Sequence, residues 1–133
     1  MTLREALKDW AWLGNFDVFE IVRTSCLGDV ILNSEAGDEY ILNVDGGELR
    51  VFDEKEKEIL ASQHNLIAKM EQHGLKLLPG KCYGLKPHAI FKAYDPENMY
   101  VATTSEYVSF MGNFYGQIKD LPDGTNARLV VKS

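Results

Sequence analysis

The chain has 133 residues, 45% of them hydrophobic and 26% charged, with a net charge of −6 at neutral pH. That length suits one domain whose core buries roughly two-thirds of the unfolded surface, and the composition excludes a disordered or fibrous chain. No run approaches the roughly 18 apolar residues that span a bilayer, and Met1 to Leu13, with Glu5 and Asp9, lacks the basic start and apolar core of a secretory signal.

Thr2 and Glu5 have capping-box spacing, and Leu3, Leu7, Trp10 and Leu13 fall on one helical stripe that Gly14-Asn15 ends. Trp10 and Trp12 cannot share a face, so one packs on the core and the other lies nearer the surface. From Phe16 to Phe52 the period changes to two. Residues 18–22 and 30–32 read as strands separated by residues 25–29, and residues 40–44 and 48–52 follow across the tight turn Asp45-Gly46-Gly47. Ala36-Gly37-Asp38 marks the turn before, and the block is a meander of antiparallel strands. Asp53 with Glu56 opens a long helix that runs to His73 before Gly74. Its buried stripe is Ile59, Leu66, Ile67 and Met70, with residues 54–58 in solvent. Pro79-Gly80 starts an extended stretch over residues 81–87, residues 95–98 turn, and residues 99–102 form a strand. Ser105 caps a third helix carrying Tyr107, Val108, Met111, Phe114 and Ile118 at helical spacing. Residues 121–124 turn the chain into a last strand at 128–131. The predicted class is α+β: a mostly antiparallel sheet of five to seven short strands with about three helices packed against it, in a single domain over residues 1–133.

Charge is unevenly spread. Residues 1–60 hold six Lys/Arg against fourteen Asp/Glu, a balance of −8, while residues 61–133 hold eight against six, a balance of +2. The acidic half disfavours direct contact with nucleic acid and suits steering toward a basic protein partner, besides keeping the chain soluble. Its candidate contact residues are Asp29, Glu35, Asp38, Glu39, Asp45 and Glu48, in the strand hairpins.

Reactive chemistry is sparse. His64, His73 and His88 are scattered, with no His-Glu-x-x-His and no Cys-x-x-Cys, so neither a metal nor another cofactor is expected. His73 suits a helix C-terminus, where partial positive charge is favourable. Without a signal segment, Cys26 and Cys82 read as reduced thiols in a cytoplasm, with a disulfide between them disfavoured. Cys82 beside Lys81 has the spacing of an inward-facing strand residue more than of an activated thiol. There is no Gly-x-Ser-x-Gly elbow, and Gly46-Gly47 lacks phosphate-loop spacing. The aromatics Tyr83, His88, Phe91, Tyr94 and Tyr100 surround the Pro-Gly segments, either as core or as an interface. No enzymatic activity is expected.

In order and spacing, several segments resemble the C-terminal domain of Tdi-type bacterial immunity proteins. They are the Trp10/Trp12 helix, Leu27-Gly28-Asp29-Val30, Gly46-Gly47-Glu48-Leu49, Pro79-Gly80-Lys81-Cys82-Tyr83-Gly84 and Gln117-Ile118-Lys119-Asp120-Leu121-Pro122-Asp123-Gly124. The resemblance implies a cytoplasmic protein that binds and neutralises a DNase effector of a type VI secretion system by non-catalytic contact, with the toxin as partner and no membrane association. Two departures stand out. The family usually shows a Gly-Gly pair where this chain has Phe91-Lys92-Ala93-Tyr94, and its members often carry a preceding GAD-like domain that these residues do not include. The competing readings are a generic interaction or scaffold domain without a toxin, and a small-molecule-binding or enzymatic domain built on Cys82, His88 and nearby tyrosines.

Overall fold

In the computed structural model, which describes residues 1–90 and 93–119, the Thr2 hydroxyl accepts the Glu5 N–H and donates to the Glu5 carboxylate, each at 3.1 Å. Helix α1 (Leu3–Ala6) then tightens into a 3-10 turn over Leu7–Trp10. Trp10 is fully buried and Trp12 half-buried, but the two do share a face. Their rings stack with centroids 5.5 Å apart, a correction to the helical spacing because the chain has tightened into the 3-10 turn before them.

Four strands follow as the expected meander: β1 (Glu20–Thr24), β2 (Val30–Asn33), β3 (Glu39–Asn43) and β4 (Glu48–Val51), antiparallel and in sequence order. Gly47 (φ +69°) supplies the left-handed backbone of the β3–β4 turn, a region closed to most side chains. Val18 is not in the first strand. It belongs to a 3-10 turn over Phe16–Val18, which the Asn15 side chain favours by accepting the Asp17 N–H. In β1 the register shifts between Ile21 and Arg23, a bulge at Val22. The sheet is covered on both faces. Val30, Leu32 and Leu42 join Trp10, Met70, Tyr83, Tyr107 and Met111 in the main core, while Ile31 and Ile41 point the other way and meet Phe52 and Leu60.

The single helix expected from Asp53 to His73 is two helices. α2 (Glu54–Ala61) starts on Asp53, whose carboxylate accepts the Glu56 N–H at 3.0 Å, and α3 (Gln63–Gln72) follows Ser62. The Ser62 hydroxyl donates to the Ile59 carbonyl at 2.7 Å, a back-bond of the kind that bends helices. Packing gives the bend its purpose: α2 lays Leu60 on the outer face of the sheet, while α3 turns Leu66, Ile67 and Met70 toward the main core. Ile59, placed on the buried stripe by spacing, is therefore 51% exposed. Gly74 (φ +82°) ends α3 as anticipated, with the Leu75 N–H returning to the Met70 carbonyl at 3.0 Å. Asp53→Ala is expected to cost about 1 kcal/mol, the worth of an N-cap, measured as a lower urea midpoint with unchanged slope.

β5 (Lys81–Leu85) and β6 (Met99–Thr103) form a separate antiparallel pair, so among the described residues the strands divide into sheets of four and two where one sheet was predicted. The class is α+β. Helix α4 (Thr104–Ile118) leaves β6 directly, its cap position Thr103 and not Ser105, whose hydroxyl instead donates to the Met1 carbonyl at 3.1 Å. Tyr107, Val108, Met111 and Phe114 are buried, as their spacing predicts. Trp10 and Trp12 donate their indole N–H groups to the α4 carbonyls of Val108 (2.9 Å) and Gly112 (3.0 Å), one helical turn apart. This docks the N-terminal segment along α4. The expected turn at 121–124 and strand at 128–131 lie outside the described residues. Among the described residues no helix is long and apolar enough to cross a membrane.

Candidate functional site

The six carboxylates expected to form one contact surface divide between the two ends of the four-stranded sheet. β3 separates two groups, since it runs from Glu39 at one end of the sheet to Asn43 at the other, a span of about 13 Å at roughly 3.3 Å per residue. At the first end, register sets Glu20 opposite Asn33 and Asn33 opposite Glu39, and the Phe52 N–H bonds to the Glu39 carbonyl at 2.9 Å. The β2–β3 turn, with Glu35 and Asp38, is thereby gathered beside the start of α2, with Asp53 and Glu54. Glu35, Asp38, Asp53 and Glu54 are all exposed. Lys57 lies among these acids, its ammonium 3.0 Å from Glu39 and 3.7 Å from Glu54.

At the other end stand Asp45, in the β3–β4 turn, Glu48, at the start of β4, and Asp29, between β1 and β2. The Asp45 carboxylate accepts the Tyr107 hydroxyl and, at 2.9 Å, the Tyr94 hydroxyl, while its main-chain carbonyl accepts the Tyr115 hydroxyl. The Tyr107 oxygen in turn accepts the Leu85 N–H at 3.0 Å. One turn residue thus ties the first sheet to α4 and β5. Burial raises the Asp45 carboxyl above its ordinary value, opposed by the Tyr107 and Tyr94 hydrogen bonds.

Asp29 is 6% exposed, and its carboxylate accepts the Val44 N–H at 3.1 Å and the Ser25 hydroxyl at 3.3 Å. Burial first, and then the charge of Asp45, push it up from 3.8 to about 7, against the Val44, Ser25 and Arg50 contributions that lower it. Asp29 and Asp45 therefore do not belong to an exposed acidic surface. That is a correction to their sequence reading: both carboxylates are turned inward as hydrogen-bond acceptors.

Beside Asp29, between the outer face of the sheet and α2, is a cavity of about 140 Å³. Asp29, Asn43 and Arg50 line its sheet side, Glu56 and Gln63 its helix side, and the exposed Ile59 and Tyr94 its rim. The Arg50 guanidinium pairs with Glu48 at 3.2 Å and Glu56 at 3.3 Å. The approach to Glu56 lacks hydrogen-bond alignment, so the buried Arg50 Nε has no acceptor.

The residues that might have carried covalent chemistry are held in inert settings. Cys82 is fully buried, and burial pushes its thiol up to about 12. Cys26 donates its S–H to the Gln63 side chain at 3.1 Å, and burial followed by the Asp29 charge pushes it up to about 11. Both stay protonated at neutral pH. Alkylation by iodoacetamide at pH 7.5 is accordingly expected to be at least tenfold slower in the folded chain than in urea, followed by mass spectrometry. Tyr83 is core, its hydroxyl donating to the Leu75 carbonyl at 2.8 Å, whereas Tyr94 and Tyr100 are each 36% exposed. His88 sits in the 3-10 turn Pro87–Ala89, and Phe91 is outside the described residues. His64 and His73 bond through Nδ1 to the carbonyls of Ala61 (2.9 Å) and Lys69 (3.0 Å). Among the described residues no three His, Cys, Asp or Glu side chains are placed to hold a metal ion.

Sequence reasoning missed the Asp45–tyrosine assembly, whose members are 49, 62 and 70 residues from Asp45. Its one local signal was an aspartate opening a tight turn. No protein-family model matches the chain, and comparisons with curated proteins and with solved structures gave no match.

Proposed function

We propose that this chain is an immunity protein that binds a basic, DNase-like toxin of a type VI secretion system and blocks it by contact alone. The observation that carries the proposal is the acidic end of the four-stranded sheet, where Glu35, Asp38, Asp53 and Glu54 lie exposed beside Glu20 and Glu39. A nuclease surface that attracts phosphate is positively charged, and clustered carboxylates offer it an alternative anion. The resemblance of the Trp10/Trp12, Gly46-Gly47-Glu48-Leu49 and residue 79–84 segments to Tdi-type immunity domains supports the same reading. Contact in place of catalysis agrees with the two thiols held protonated by burial.

The test is a tagged pull-down from the native host under conditions that express the neighbouring genes. Mass spectrometry is expected to identify a stoichiometric, basic, nuclease-like protein; recovery of the chain alone would count against the proposal. With the partner in hand, the triple variant Glu35→Lys, Asp38→Lys, Glu54→Lys should slow association roughly ten- to a thousandfold, most strongly at low salt. These three side chains are exposed, so the fold should persist. An unchanged association rate would move the contact away from this end of the sheet.

A further inference from the structure

We propose that the cavity between β3, β4 and α2 is a socket for one cationic side chain, lysine or arginine, of a basic protein partner. This rests on the reading of a basic partner but concerns a different part of the surface from the acidic end. The cavity, at about 140 Å³, equals the volume of four to five waters at roughly 30 Å³ each, room for the head of one long side chain. Its lining combines the carboxylates of Asp29 and Glu56 with the amides of Asn43 and Gln63, below a rim of Ile59 and Tyr94. That is the order of groups a lysine or arginine meets on entry: apolar and aromatic surface for the stem, then oxygen acceptors for the head.

Charge decides the sign of the ligand. Arg50 is the cation of the lining; it pairs with Glu48 and Glu56, and its Nε–H is left without an aligned acceptor. Asp29 is left buried with two neutral donors, the Val44 N–H and the Ser25 hydroxyl, and no cation in hydrogen-bond contact. A buried carboxylate without a counter-ion is costly, and an entering ammonium or guanidinium supplies one. An entering anion would find one unpartnered donor, the Arg50 Nε–H, but would face the two carboxylates of Asp29 and Glu56.

The groups that act on Asp29 are Asp45, Arg50, Cys26, Cys82 and Tyr94, with Glu56 across the cavity. With the Asp29 carboxyl titrating at about 7, roughly a tenth is ionised at pH 6 and nine-tenths at pH 8. Cation binding should therefore be about tenfold tighter at pH 8 than at pH 6, with a proton released on binding.

Methylguanidinium chloride, titrated into the intact ¹⁵N-labelled chain at constant ionic strength, is the direct probe. Saturable shift changes are expected at the side-chain amides of Asn43 and Gln63 and at the Arg50 Nε–H. Their midpoint should fall about tenfold from pH 6 to pH 8. Asp29→Asn should remove the pH dependence, and Glu56→Gln, which keeps the shape of the side chain and takes one carboxylate from the lining, should weaken binding. Absence of saturable shifts at these three residues, or equal shifts with sodium acetate, would overturn the socket. A methylguanidinium response with no nuclease captured in the pull-down would keep the socket and remove the toxin reading. Capture of a nuclease whose affinity ignores Glu56→Gln, with no methylguanidinium response, would do the reverse.

Discussion

Gly112→Ala is expected to destabilise the chain by about 1–3 kcal/mol, even though alanine is the better helix former. Helix propensity alone would favour the substitution by about 1 kcal/mol. Against this, the new Cβ would fall 2.8 Å from Cδ1 and Nε1 of Trp10 and 2.9 Å from the Asp9 carbonyl oxygen. Neither neighbour can retreat cheaply. Trp10 is fully buried with its indole tied to the Val108 carbonyl, and the Asp9 carboxylate is held by the Ser109 hydroxyl. Overpacking of this kind costs about 1–3 kcal/mol, and loss of the indole hydrogen bond about 1 more. Steric conflict therefore outweighs propensity. Gly116→Ala makes the milder comparison: its Cβ would meet Trp12 at 3.1 Å, a contact that a shift of a few tenths of an ångström relieves without breaking the Trp12–Gly112 hydrogen bond. The gain in helix propensity offsets the crowding, so stability should change by less than about 0.5 kcal/mol. Urea unfolding followed by tryptophan fluorescence separates the two. Equal stability of Gly112→Ala and the parent chain would show that the N-terminal segment does not lie against α4 in this way.

Asp29→Asn should remove a fall in stability that the parent chain shows between about pH 4 and pH 7. The Asp29 carboxyl titrates at about 7 when folded against 3.8 as a model group, so the folded state holds its proton where the unfolded state has lost it. The stabilisation from that proton is complete below about pH 4 and gone once the pH passes about 7, a change of up to about 4 kcal/mol. Asparagine keeps an oxygen for the Val44 N–H and carries no charge to desolvate. The variant should accordingly exceed the parent chain at pH 8 and lose that advantage toward pH 4. Asp45 is shifted in the same direction by burial, so some pH dependence of the same sign should survive. A stability difference that is constant from pH 4 to pH 8 would contradict the buried, uncompensated state of Asp29.

Local rules carried much of the fold. The Thr2–Glu5 and Asp53–Glu56 caps, the Gly47 turn and the Gly74 stop each involve residues within a few positions of one another, and each is found where spacing put it. What spacing missed was decided at long range. The bend at Ser62 exists because Leu60 serves one core and Met70 another, which a continuous helical stripe cannot announce. Ser105 has the chemistry of a cap, but the direct passage from β6 into α4 puts Thr103 in that position.

The candidate site was half legible. Acidic residues default to the surface, and Glu35 and Asp38 obey. Asp29 and Asp45 do not, because backbone N–H groups and tyrosines from distant segments meet them inside. Counting charge by segment thus located the acidic half but could not sort its carboxylates into contact residues and structural ones.

On the proposed function, the acidic end of the sheet blocks a basic nuclease by contact. The most direct test is to titrate the purified chain into the captured partner while following cleavage of plasmid DNA. Loss of cleavage near one equivalent, with the Glu35→Lys, Asp38→Lys, Glu54→Lys variant much less effective, is the predicted result. Undiminished cleavage in the presence of excess chain would contradict the claim.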